Sequence, residues 1–232
     1  MGDIAPKLIE DVTADFRKEY SGSTKIQALL NKVQDNTATY AEAQEYSLEV
    51  SRLIRRAYRK HVSSAGLPDG RMYYNIASRL VQETLGESRR LVSGYASSVQ
   101  TALNKAANIG IKAQAVDMEQ DRIDGLVSLA ANAERYDDVA EELSTAIETY
   151  LQSIVDNSVK KNAEFQYRSG LSPKIIRRSE HKCCKWCSDL AGAYNYPDVP
   201  EDIYRRHGNC RCLLEYDPGE GKKQNVWTKV WM

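Results

Sequence analysis

All five cysteines of this chain lie between Cys183 and Cys212, and two of its three histidines, His181 and His207, lie with or between them. Cys184 and Cys187 form a C-x-x-C knuckle, whose tight turn lets two thiolates face one ion. After a spacer of nineteen residues, His207-Gly-Asn-Cys210-Arg-Cys212 offers three more donors. Two such groups about 12–20 residues apart are what a four-coordinate zinc site needs. Zinc would hold its cysteines as thiolates. His181, Cys183, Cys184, Cys187, His207, Cys210 and Cys212 make seven candidates for four places. Cys184 and Cys187 are the first expected ligands, and the other two come from His207, Cys210 and Cys212. If 210–214 is a strand, Cys210 and Cys212 share a face, and His207 ligates or donates from behind. Cys183 is expected to point away.

Other chemistries suit the same residues. Cysteine is often simply a buried small apolar side chain, so packed reduced thiols without metal are one alternative. A redox pair or nucleophile is another, but no βαβ context and no orienting third group accompany it. A closed four-ligand site leaves no open coordination position, so the expectation is of no enzyme.

The elements around the cluster read as short. Lys174–Arg178, Ala193–Tyr196 and Cys212–Tyr216 are expected strands, and Cys187–Ala191 one helical turn ended by Gly192. Fewer than seventy residues bury little core alone, so a metal staple is physically reasonable. Arg177, Arg178, Arg205, Arg206 and Arg211 give this part a basic surface for DNA or an acidic partner, or for the acidic helices of the same chain.

Those helices fill the rest. Residues 1–167 carry 20 basic and 24 acidic side chains, and residues 168–232 carry 12 and 8, so the zero net charge of the 232-residue chain hides opposite halves. The boundary also separates Pro6 and Pro68 from four later prolines. The expected organisation is therefore a helical scaffold domain, 1–167, and a Cys/His module, 168–232. The fold class is mainly α, with a small α+β, cysteine-rich, zinc-stapled C-terminal module.

Helix-favouring residues dominate the scaffold. Ile4, Leu8, Val12 and Phe16 give Asp3–Tyr20 one apolar stripe. Ser23 or Thr24 caps a short helix over Lys25–Val33. A longer one runs from Thr39 to His61, and Gly66–Gly70 breaks the chain. Met72–Val116 is helical, with a kink or end expected at one or two of Gly86, Gly94 and Gly110. Gln120–Arg135 follows, and Asp137 is expected to cap a long helix with Leu143, Ile147, Leu151 and Ile154 inward. Arg52, Arg55, Arg56 and Arg59 line one helix face. That stripe suits DNA or a partner protein, or pairing within the fold to the acidic segment 117–142, and such runs are more often solvated or paired.

The zero net charge argues against a bulk polyanion binder. No apolar run approaches a membrane span, and the N-terminus lacks the apolar region of a secretory signal. A reducing cytosol is the expected setting.

Three segments carry a resemblance. Gly170-Leu-Ser-Pro-Lys-Ile-Ile-Arg177, Cys183-Cys-Lys-Trp-Cys-Ser-Asp-Leu-Ala-Gly192 and Tyr204-Arg-Arg-His-Gly-Asn-Cys-Arg-Cys212 resemble the C-terminal signature of tailed-phage minor head proteins, the MuF-like or phage head morphogenesis family. The ending Tyr216–Trp231 is similar to versions from phages and prophages of Gram-positive bacteria. The match covers about residues 163–232. The family's C-x-x-C falls on Cys184 and Cys187, and its H-x-N-C-x-C on His207, Asn209, Cys210 and Cys212. Cys183 is an added cysteine. The resemblance implies a minor capsid protein acting in head morphogenesis and in genome packaging or ejection. Its implied partners are a portal oligomer, packaged double-stranded DNA, and capsid or scaffolding proteins, with no membrane. Its implied place is the capsid interior near the portal, after synthesis in the bacterial cytoplasm. An appended toxin or enzyme domain is not expected. The alternative is a zinc-dependent nucleic-acid-binding protein.

Overall fold

Periodic apolar residues organise most of the chain into helices, described in a computed structural model over residues 2–180 and 183–218. The first helix, α1, spans Ala5–Gly22, and α2 spans Thr24–Gln34. The Ser23 side chain between them accepts from the Ile26 N–H and caps α2. Helix α3, Tyr40–His61, opens with a capping box in which Thr39 and Glu42 satisfy each other's free backbone donors. Two short 3-10 turns, Ser64–Gly66 and Pro68–Gly70, fill the expected break.

Helix α4 runs uninterrupted over Tyr74–Ala106, so neither Gly86 nor Gly94 kinks or ends it. The buried Leu85, Val92 and Tyr95 around them hold that stretch in the core, and packing outweighs glycine's weak helix preference. The helix also stops before Gly110, with Asn108 taking the left-handed conformation (φ 54°). Helix α5, Gln120–Ala131, ends earlier than Arg135, and α6 spans Tyr136–Arg168. Asp137 does not cap α6. It lies in the first turn, where its carboxylate accepts from the Ser64 N–H (2.9 Å) while Ser64 Oγ accepts from the Asp137 N–H (3.0 Å).

Helix α3 packs against α1, α4 and α6, and buries Tyr46, Val50, Leu53, Ile54 and Ala57 among them. Buried tyrosines tie the helices laterally. Tyr46 stacks on Tyr95, whose hydroxyl donates to the Leu29 carbonyl of α2 (2.9 Å).

Three short strands form one antiparallel sheet: β1 (Lys174–Arg178), β2 (Gly192–Asn195) and β3 (Leu213–Asp217). The order is β2-β1-β3, with Ile175 opposite both Tyr194 and Tyr216. Between β1 and β2 lies the short helix α7, Lys185–Asp189. The change of character at residue 168 falls where α6 ends. Ile175, Ile203, Leu214 and Tyr216 join the same contiguous core as the helices.

A chain of buried polar groups crosses that core. The Tyr40 hydroxyl donates to Gln100 Oε1 (2.7 Å), and Gln100 Nε2 and Gln166 Nε2 both donate to Asn104 Oδ1 (2.7 and 2.8 Å). Tyr216 of β3 in turn donates to Gln166 Oε1. The chain links α3, α4, α6 and the sheet.

The arginine stripe is paired within the fold. Arg52 meets Glu49 (2.6 Å), Arg55 meets Glu148 and Glu141, Arg56 meets Glu19 (3.4 Å) and Arg59 meets Glu141 (2.6 Å). No helix of the described residues is long and apolar enough to cross a membrane.

Candidate metal centre

The knuckle is built by α7. Cys184 is its N-cap residue, and its sulfur accepts from the Cys187 N–H (3.5 Å). One turn of helix then turns Cys187 inward, where it is 1% exposed, while Cys184 stays at the surface. Trp186 between them packs edge-on to His207 (5.9 Å between ring centres).

The second group of donors sits on a tight turn. The Cys210 N–H donates to the His207 carbonyl (3.3 Å), and Asn209 takes the left-handed conformation (φ 60°), which asparagine tolerates better than most residues. Gly208 approaches α6 closely, and a Cβ there would lie 3.0 Å from Thr145 Cγ2. The H-G-N-C spelling thus has a local backbone reason at each middle position. Cys210 and Cys212 precede β3 rather than lying in it, yet both are buried.

These elements bring five donors together. His207 Nε2 is 3.3 Å from Cys184 Sγ and 3.1 Å from Cys187 Sγ, and Cys187 Sγ is 3.7 Å from Cys210 Sγ. Two triads result, Cys184–Cys187–His207 and Cys187–Cys210–Cys212, with the atoms of each within 4.8 Å of one another. Cys187 belongs to both. Ligands bound to tetrahedral zinc at about 2.0–2.3 Å stand about 3.5 Å apart, so these separations suit a soft or borderline metal ion. The donor chemistry agrees: thiolates and a neutral imidazole are the ligands that zinc prefers. His207 Nδ1 faces the Gly208 carbonyl at 2.7 Å, and a carbonyl only accepts, so Nδ1 carries a proton and Nε2 is the nitrogen turned towards the sulfurs.

Cys183 is half-buried against the sulfur cluster but belongs to neither triad. His181 lies outside the described residues. The Cys187 N–H beside the Cys184 sulfur holds that thiol below its usual range, whereas burial pushes the Cys187 and Cys212 thiols up. Bare buried thiols therefore stay protonated, and a bound cation reverses that preference.

Of the five arginines expected to make a basic surface here, two are buried and three pair with carboxylates while staying at the surface. Arg177 points inward from β1, is 3% exposed, and donates to the carbonyls of Ile203 and Arg205, the latter at 3.0 Å. The Arg206 side chain is 2% exposed and makes a two-pronged pair with Asp156. Arg178 pairs with Glu215, Arg205 with Asp202 and Arg211 with Glu148.

Sequence reasoning missed Glu148, Gln152 and Asp156 of α6. They recur every four residues and all are buried. Side chains of these types are mostly exposed in folded proteins, and the signal that could have found them is that the facing Cys/His segment is rich in arginine.

Comparison with family models, curated proteins and solved structures gives no significant match.

Proposed function

We propose that this chain is a minor head protein of a tailed phage, bound to the portal and acting in head morphogenesis. The observation that carries this reading is the meeting of three signature-bearing segments in one unit. Gly170–Arg177 supplies β1, Cys183–Gly192 the knuckle, and Tyr204–Cys212 the facing arm. The resemblance rests on those segments, and their joint position gives the motif a physical purpose. In this reading the helices form the scaffold and the Cys/His unit is structural.

Zinc is the metal that suits the unit. Its holders are Cys184 and Cys187 with two of His207, Cys210 and Cys212, and the chemistry it supplies is crosslinking of two loops with little core of their own. The nucleic-acid reading has less behind it, because the arginines that motivated it are paired with carboxylates or carbonyls of the same chain.

Quantitative mass spectrometry of procapsids and mature heads from a phage or prophage encoding this chain tests the proposal. Co-purification with the portal protein, far below the copy number of the major capsid protein, is expected. Absence from both particles would overturn it. Elemental analysis of chain purified without chelator should find about one zinc per molecule.

A further inference from the structure

We propose that Glu148, Gln152 and Asp156 of α6, together with Arg206, are positioning residues that set Cys210 against the Cys184–Cys187 knuckle and so strengthen its hold on a soft divalent metal ion. This rests on the metal reading above. Residues four apart on a helix share one face, so the three side chains form a single buried row. Each grips a different part of the ligand-bearing arm. Asp156 Oδ1 accepts from Arg206 Nη2 (2.8 Å), Gln152 Nε2 donates to the Cys210 carbonyl (3.0 Å), and Glu148 pairs with Arg211. The row therefore holds the arm on both sides of the Cys210 sulfur.

Arg206 passes the constraint on to the ligands. Its Nη1 donates to the Cys212 carbonyl (2.7 Å) and lies 3.9 Å from Cys210 Sγ. Arg177 Nη2 lies 3.9 Å from the same sulfur on its own account, and its guanidinium also stacks over Trp186. Cys210 thus has two buried guanidiniums beside its sulfur and a helix amide on its carbonyl. Three thiolates around one divalent ion leave a net negative charge, which cations held at that distance offset. Glu148 also pairs with Arg55, so the seat of the arm is shared by α3 and α6.

The test compares the full-length chain with Asp156→Asn and Gln152→Met. Leu80→Ala, in the core of α4, serves as a control that lowers stability without touching the arm. Zinc affinity is read by competition with a chromophoric chelator, the ligand set by the thiolate-to-metal charge-transfer band of the cobalt(II) form, and the fold by helical circular dichroism. Both variants should keep the helical signal, bind zinc about 10–100-fold more weakly, and show a weaker charge-transfer band for cobalt. Leu80→Ala should leave affinity and band unchanged. If Asp156→Asn fails to fold, Gln152→Met decides alone, since it removes one hydrogen bond and leaves the ion pair in place. Folded variants with wild-type affinity would overturn the positioning role while leaving the metal reading intact. So would a Leu80→Ala chain weakened as much as they are. A wild-type chain that takes up neither metal would overturn both.

Discussion

In the helices, order comes from apolar stripes that meet in one core, with Leu80, Val81, Leu85, Leu151 and Val159 fully buried. In residues 183–212, order comes from five donors drawn together and from charged side chains anchored to α6. The helical part spreads its stabilisation over many interchangeable contacts, each small. With the proposed metal bound, the donor cluster would concentrate its stabilisation in a few groups. The two parts should therefore respond to different perturbations, although Ile203 ties the segment to the helical core while the sulfurs cluster apart from it.

Metal removal should separate them most widely, because apparent binding free energies of structural zinc reach about 10–16 kcal/mol. Excess chelator should abolish hydrogen-exchange protection across residues 183–212 while α1, α3, α4 and α6 keep theirs. Simultaneous loss in both parts would break the comparison. The converse perturbation is Leu80→Ala, which should cost about 2–5 kcal/mol in urea unfolding through a cavity at a fully buried site. Metal content should not change.

The capping box of α3 offers a smaller lever confined to the helices. Thr39→Ala should cost about 1 kcal/mol of thermal or urea stability. Its partner Glu42 has a carboxyl that burial pushes up, but the Lys32 ammonium and the Thr39 hydroxyl and N–H outweigh burial and hold it at about 2. A carboxylate lowered by folding contributes stability that is complete above its ordinary value near 4.5 and is lost as pH falls towards about 2. Acid titration of Glu42→Gln should therefore show a shallower loss of stability in that window than the wild type. The smallest effect is a gain. Gly86→Ala and Gly94→Ala lie inside α4, where an added Cβ meets nothing within 4 Å. Each should raise stability by about 0.5–1 kcal/mol.

Periodicity and local spacing made much of this fold legible. The Ile4–Phe16 stripe and the Ser23 cap place α1 and α2 within two residues of their observed ends, and Thr39 opens α3 as expected. The C-x-x-C and H-x-x-C-x-C spacings identified the donors that converge. The failures share one cause, which is distance along the chain. Asp137 has the chemistry of a cap, but its partner Ser64 is 73 residues away. Gly86 and Gly94 look like interruptions until the tertiary contacts of α4 are known. The buried row on α6 is invisible because Glu148, Gln152 and Asp156 are polar, and only the arginine-bearing arm folded against them makes their burial favourable. The arginine stripe is no such failure: pairing within the fold, expected ahead of a polyanion surface, is what Arg55 and Arg59 make with Glu141 and Arg52 makes with Glu49.

The amide chain through Gln100, Asn104 and Gln166 converges, because a carboxamide donates only from nitrogen and accepts only at oxygen, and both glutamines donate to Asn104 Oδ1. Tyr40 and Tyr216 are its two terminal donors, and Tyr216 reaches Gln166 Oε1 from β3, the last of the described strands to leave the ribosome. During synthesis α4 and α6 emerge with that acceptor uncapped, and the arrival of β3 completes the series. Any sliding of α6 by one turn would carry Gln166 Oε1 about 5 Å away from the Tyr216 hydroxyl and break the series. The last hydrogen bond of the series thus depends on the register of α6 against β3.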